Sequence, residues 1–262
     1  MLDHLSSLYQ ANKILMIGSL VFLIISAVLA LLLPFESRQV LGINLWIKPL
    51  KFAISIGIFL YTSVYLLQPL DYSTGKLNLL SWTLLGTMLI EIFCIIFQAS
   101  RGQLSHFNTT DPIGRIMFPL MGTAITVAYL VYALMLVDYF RLETNLTPAM
   151  LWAIRIGIVI FLFGAISGFS MGGALKHTVG MADGGPGLPF TNWSTVAGDL
   201  RVSHFISIHA IQILPLLALV MMQLNLSSSK GLSAVVVFGT LYGLFCVLTL
   251  VQAMQGRPFI RN

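Results

Sequence analysis

Seven separate stretches of this chain run for about twenty residues with at most one acidic or basic side chain each. They lie at about 14–34, 49–70, 77–99, 116–138, 148–171, 203–225 and 231–254. A helix crosses a hydrocarbon core roughly 30 Å thick with about 20 apolar residues. Only helices and closed barrels satisfy their backbone groups there, and unbroken apolar runs read as helices. Composition agrees, with 9% of residues charged against about 25% in soluble domains. The expectation is an all-α integral membrane protein. A single bundle of about seven transmembrane helices would occupy residues 1–262 as one polytopic domain, with short loops except for one long, lid-like loop between spans five and six. The first run is too long for the apolar region of a signal peptide and lacks a small-residue cleavage site, so it reads as a permanent span.

Seven crossings put the chain ends on opposite sides. Side A, bearing the first, third and fifth connections and the C-terminus, collects Arg38, Lys48, Lys51, Arg101, Arg115, Lys176, Arg201, Arg257 and Arg261. Side B holds Lys13, Lys76, Arg141 and Lys230, with Arg155 two turns into span five. The excess of basic residues predicts a cytoplasmic side A and an external N-terminus. The net charge of +5 is spread singly through short loops, so no nucleic-acid partner is expected. Cys94 and Cys246 lie in apolar runs and do not suggest a structural disulfide. Span seven has no lysine for a retinal Schiff base.

Polar residues inside the runs gather toward side A. Glu91, Cys94, Gln98 and Arg101 follow spacings of 3, 4 and 3, which places them on one helical face. His209 and Gln212 share a face of span six, and Pro215 removes the donor that the carbonyl of Ile211 would use. Counting from side A, Cys94 and His209 fall at roughly 9 Å depth, and Glu91 and Gln212 at roughly 13 Å. This predicts a polar pocket open to side A and floored by Glu91, the one carboxylate deep in a span. A group so costly to bury usually works rather than only fastens helices. The alternative is pairing with Arg155 or Gln212.

The fifth connection runs for about thirty residues and contains His177, Asp183, Trp193, Asp199 and Arg201 around a GGPGLP core. Connections of that length are commonly functional. No phosphate-binding G-x-x-x-x-G-K-[ST] pattern occurs in it. Its aromatic and charged residues suggest a folded lid. His106, His204 and His209 lie near the side-A boundary and are candidate metal ligands, with His177 as a fourth. His204 and His209 are five residues apart and point about 140° from each other on a regular helix, so each would need a partner from another segment.

Glu91 and His209 are the candidate acid–base pair. Arg101, Arg201, Gln98, Gln212, Asp199 and Arg257 are the candidate ligand-binding residues, with the arginines suited to a carboxylate, a phosphate, a lipid headgroup or a haem propionate. Three readings follow. The first is a redox protein binding haem b or a transition-metal ion. The second is an intramembrane hydrolase or transferase acting on a lipid-linked or anionic substrate. The third is a small-molecule or ion transporter, for which the side-B half offers no polar continuation and the chain no repeat.

Overall fold

The computed structural model describes residues 2–224 and 226–261. Helix dominates, and the contacts divide the chain into two compact units, residues 1–131 and 132–262.

The first unit begins with α1 (Leu2–Ala11) and α2 (Lys13–Leu32). Asn12 breaks the helix between them and caps α2, its Oδ1 accepting from Leu15 N at 3.1 Å. Its Nδ2 donates to Ser81 Oγ at 2.6 Å and so ties the elbow to α4 (Thr74–Ser100). A 3-10 turn and a small hairpin, β1 (Gln39–Val40) with β2 (Ile43–Asn44), lead to α3 (Ile47–Leu67). The hairpin turns on Leu41 and Gly42, both at positive φ, as two-residue hairpin turns of this class require. Helices α2 and α3 approach closely because Gly57 has no side chain. A Cβ there would meet the Leu23 side chain at 3.0 Å, and Ser19 Oγ donates to the Gly57 carbonyl at 2.8 Å. Small residues allow such approaches between apolar helices.

Helix α5 (Pro112–Arg141) starts in the first unit and ends in the second. Asp111 precedes it and accepts from Ile113 N and Gly114 N, with proline at the first helical position. The second unit continues with α6 (Pro148–Ala174), α7 (Leu200–Ile208), α8 (Ala210–Gln223) and α9 (Ser228–Met254). A glycine stripe on α6 receives α7 and α8. Added Cβ atoms would lie 3.0 Å from the Ala210 carbonyl oxygen at Gly157, 3.0 Å from Ser207 at Gly164 and 3.1 Å from the His204 ring at Gly168.

Among the described residues six helices are long and apolar enough to cross a membrane, and α7 with α8 makes a seventh only if this pair, bent by 43°, is one span. The break falls at His209, six residues before Pro215 rather than below the histidine as the proline alone suggests. Pro215 leaves the Ile211 carbonyl without its usual donor, and the carbonyl of Ile206 accepts from Tyr242 Oη of α9 at 2.6 Å. The remaining apolar runs match their helices to within four residues at each end. Helix α1 falls where the sequence suggests only a polar tail.

Candidate functional site

In the first unit the polar stripe of α4 forms as its spacing predicts. Glu91, Cys94 and Gln98 are all buried. Cys94 packs with Ile95 and Met121, flanked by Phe52, Ile90 and Met117, and is a core residue. Gln98 Oε1 accepts from Arg101 Nη1 at 2.7 Å, while its Nε2 has no hydrogen-bond partner. Arg101 also meets Asp111 at 3.5 Å, and Asp111 accepts from Asn108 Nδ2 at 2.6 Å. The Arg101 guanidinium is thus fastened to the start of α5. Burial would raise the Asp111 carboxyl, but hydrogen bonds from Gly114, Asn108 and Ile113 and the Arg101 charge hold it below its usual range.

Glu91 is 5% exposed, and among the described residues none donates a hydrogen bond to it. The charge that acts on it belongs to Lys48 at the start of α3. Lys48 Nζ lies 3.2 Å from His106 Nδ1, which is also 3.1 Å from Ser105 Oγ. An ammonium group can only donate, so His106 Nδ1 accepts and the neutral ring carries its proton on Nε2. Phe52, Phe107 and Phe118 surround that ring, with centroids at 5.8, 6.1 and 6.3 Å. Lys48 is the site residue whose role the stripe alone does not reveal. Its clue is position, since it opens span two on the side where span three ends.

In the second unit, the fifth connection is folded. Strands β3 (Thr178–Val179) and β4 (Gly198–Asp199) pair antiparallel. Asp183 accepts from the backbone N–H of Thr178 at 2.9 Å and lies 3.3 Å from His177 Nδ1. Asp199 accepts from Ser194 N at 2.8 Å and from Arg201 Nη2 at 2.6 Å. Arg201 also donates to the Asn192 carbonyl. Burial pushes the Asp199 carboxyl up, but Arg201, Ser194 N–H and the His177 charge outweigh it and hold the group below its usual range. Arg201 and Asp199 therefore bind each other and brace the loop.

A chain of rings then ties the loop to the helices. Trp193 packs edge-on to Phe205 at 5.5 Å and to Phe259 at 6.3 Å, and Phe205 meets His209 at 4.4 Å. Gln252 Nε2 donates to the Pro258 carbonyl at 2.7 Å, fixing the C-terminal segment, while Arg257 is exposed.

His204 Nδ1 lies 2.9 Å from the Gly164 carbonyl oxygen, and His209 Nδ1 lies 3.3 Å from Gln212 Oε1. The carbonyl fixes the His204 proton on Nδ1 and leaves Nε2 as a lone-pair donor. Arg155 donates twice to the Tyr139 carbonyl, at 2.6 and 3.1 Å, and stacks on Phe140 and Trp152. It is a satisfied structural group within the second unit. Glu91 and His106 belong to the first unit, and His177, His204 and His209 to the second. Among the described residues no three His, Cys, Asp or Glu side chains converge as a metal site.

Comparison of the chain with protein-family models, curated proteins and solved structures finds no match.

Proposed function

We propose that this chain is a multi-pass membrane protein of seven crossings. Its first unit would hold an acid–base pocket that acts on an anionic, membrane-resident substrate by hydrolysis or group transfer. The bilayer reading is supported by where the apolar residues lie. The most apolar windows of α2 and α9 are only 28% buried, and Leu31 and Leu248 are 71% and 64% exposed. Soluble monomers rarely present continuous apolar faces of that kind. By charge count, side A is cytoplasmic and the N-terminus external. The fifth connection then lies on the cytoplasmic side as a folded lid.

The observation that carries the pocket is Glu91, a buried carboxyl without a hydrogen-bond donor among the described residues. Two turns away on the same face, Gln98 Nε2 has no hydrogen-bond partner, although its Oε1 accepts from Arg101. A buried polar group left unpaired costs about 1–3 kcal/mol, so Gln98 Nε2, on the same stripe as the buried Glu91 carboxyl, supports an occupant that binds there. In this reading Gln98 Nε2 donates to a substrate oxygen, Lys48 attracts the anionic group, and Glu91 exchanges the proton.

The test is a comparison of anionic lipids and lipid-linked intermediates in cells lacking the protein, cells with wild type and cells with Glu91→Gln. Accumulation of the same anionic species in the null and in the variant is expected. An unchanged profile in both defeats the reading.

One observation keeps a redox reading alive. A ligating histidine usually gives its second ring N–H to a carbonyl or carboxylate, and His204 does this with Gly164. A haem or transition-metal ion, which would supply electron transfer, would find its ligand atom at His204 Nε2. An absorbance spectrum and metal analysis of purified wild type and His204→Ala decide it. No Soret band and no stoichiometric metal would sink that alternative.

A further inference from the structure

At the far end of α3 from Lys48, the first unit contains a cavity of about 190 Å³. It lies between the elbow at Asn12, the end of α3 and the first turn of α4. Val64, Leu67 and Leu77 form an apolar wall, and Gln68, Asp71 and Tyr72 form a polar one. An apolar cavity of about 150 Å³ takes a benzene-sized molecule, so a ring or a branched alkyl group fits here.

The polar wall is selective. Asp71 is the one charged residue in the lining. The short 3-10 turn Gln68–Leu70 ends on it with φ 41°, in the left-handed region, which sets the direction in which its side chain leaves the backbone. Asp71 and Gln68 are both exposed, and among the described residues neither side chain has a hydrogen-bond or ion-pair partner. The amide of Asn12 is committed to Ser81 and to Leu15 N, so it shapes the wall without offering a free group. The two nearby lysines are drawn onto rings, Lys76 at 3.8 Å from the Tyr72 centroid and Lys13 at 5.8 Å from that of Tyr9. One carboxylate, one adjacent amide oxygen and an apolar wall of ring size select a cation with an organic body.

We infer that this cavity binds a small organic amine. The ammonium donates to the Asp71 carboxylate and to Gln68 Oε1, and the apolar body lies against Val64, Leu67 and Leu77. This site shares no residue with the Glu91 pocket, and the inference is independent of what that pocket does.

The test uses the purified full-length protein in detergent, with benzylamine as the probe and benzoate and benzyl alcohol as controls of matching shape. Titration calorimetry should show saturable benzylamine binding, weaker binding of benzyl alcohol and none of benzoate. Asp71→Asn should weaken benzylamine by roughly tenfold or more, the share of a hydrogen bond to a charged group. Leu77→Trp should abolish binding by filling the space. Val64→Phe serves as a second filling variant, and circular dichroism with gel filtration identifies those that fold. Failure of benzylamine to saturate overturns the inference. So does benzoate binding as tightly, or benzylamine affinity unchanged in both Asp71→Asn and a folded filling variant.

Discussion

A carboxylate that fastens helices and one that serves chemistry differ in what their removal does. If Glu91 held an ion pair, breaking it would cost about 3–5 kcal/mol. Its side chain instead accepts no hydrogen bond from any described residue, so Glu91→Gln should leave the thermal midpoint unchanged or raise it while abolishing activity. Thermal unfolding in detergent measures the first effect, and a large fall in midpoint would assign Glu91 a structural role. Asp199 should behave in the opposite way. It is 1% exposed and paired with Arg201 at 2.6 Å, so Asp199→Asn should loosen the fifth connection by about 3 kcal/mol, seen as faster proteolysis between residues 180 and 196. The polar stripe of α4 was legible in sequence because residues three and four apart on a helix share a face whatever the surroundings. Hydrogen-bond partners were less legible. Sequence offers Arg101 and Arg201 as grips for an anion, yet Arg101 is bound to Gln98 and Asp111, and Arg201 to Asp199 and Asn192. Side-chain direction, which spacing does not encode, decides such pairings.

At the scale of elements, the fifth connection depends on one carboxylate and one glycine. The folded-state pKa of Asp199 is lowered from 3.8. Its contribution is therefore complete above the unfolded value and is lost as pH falls through the lower folded value. Trp193 fluorescence should stay constant from neutral pH down to about 4 and change only below it. A transition well above that pH would count against Asp199 as the group responsible. Gly198 of β4 sits where an added Cβ would collide with the Ala253 carbonyl of α9. Because backbone cannot swing aside as a side chain can, Gly198→Ala should detach the loop from the end of α9. Overpacking typically costs about 1–3 kcal/mol, so the thermal midpoint should fall and the loop should become protease-sensitive while the helix content stays. Helix boundaries were readable from the apolar runs, since burial or bilayer contact and helix length are coupled through a fixed rise. The break at His209 was not, because it is made by the glycine stripe of α6 and by Tyr242 of α9, both remote in sequence. Helix α1 does carry a signal, with Leu2, Leu5 and Leu8 at a spacing of three and Asn12 as the cap of the helix that follows. It is too short to register as a span.

For the molecule as a whole, the number of crossings in the proposed membrane reading turns on α7 and α8. The two-unit division leaves no mark in the sequence, because it falls between Val131 and Tyr132 inside the continuous helix α5. Crossing number does leave one, in the basic residues of the connections. If the pair bent by 43° completes one span, the connections at residues 182 and 227 lie on opposite sides of the membrane. If it turns back as a re-entrant hairpin, they lie on the same side and the chain ends do too. Both native thiols, Cys94 and Cys246, are fully buried, so single cysteines introduced at exposed loop positions can be read against a low background. We expect Ser37→Cys and Ala182→Cys to react with a membrane-impermeant maleimide only in inverted vesicles, and Gly75→Cys and Ser227→Cys only in intact cells. Reaction of Ser227→Cys together with Ala182→Cys would remove the seventh crossing. It would also bring Lys230 and the sixth connection to the side that already carries nine basic residues by the sequence reading. It would carry Arg257 and Arg261 to the other side with the C-terminus, so the charge asymmetry would shrink while keeping its sign. The asymmetry alone therefore does not choose between six and seven crossings, whereas the pairwise comparison of residues 182 and 227 does.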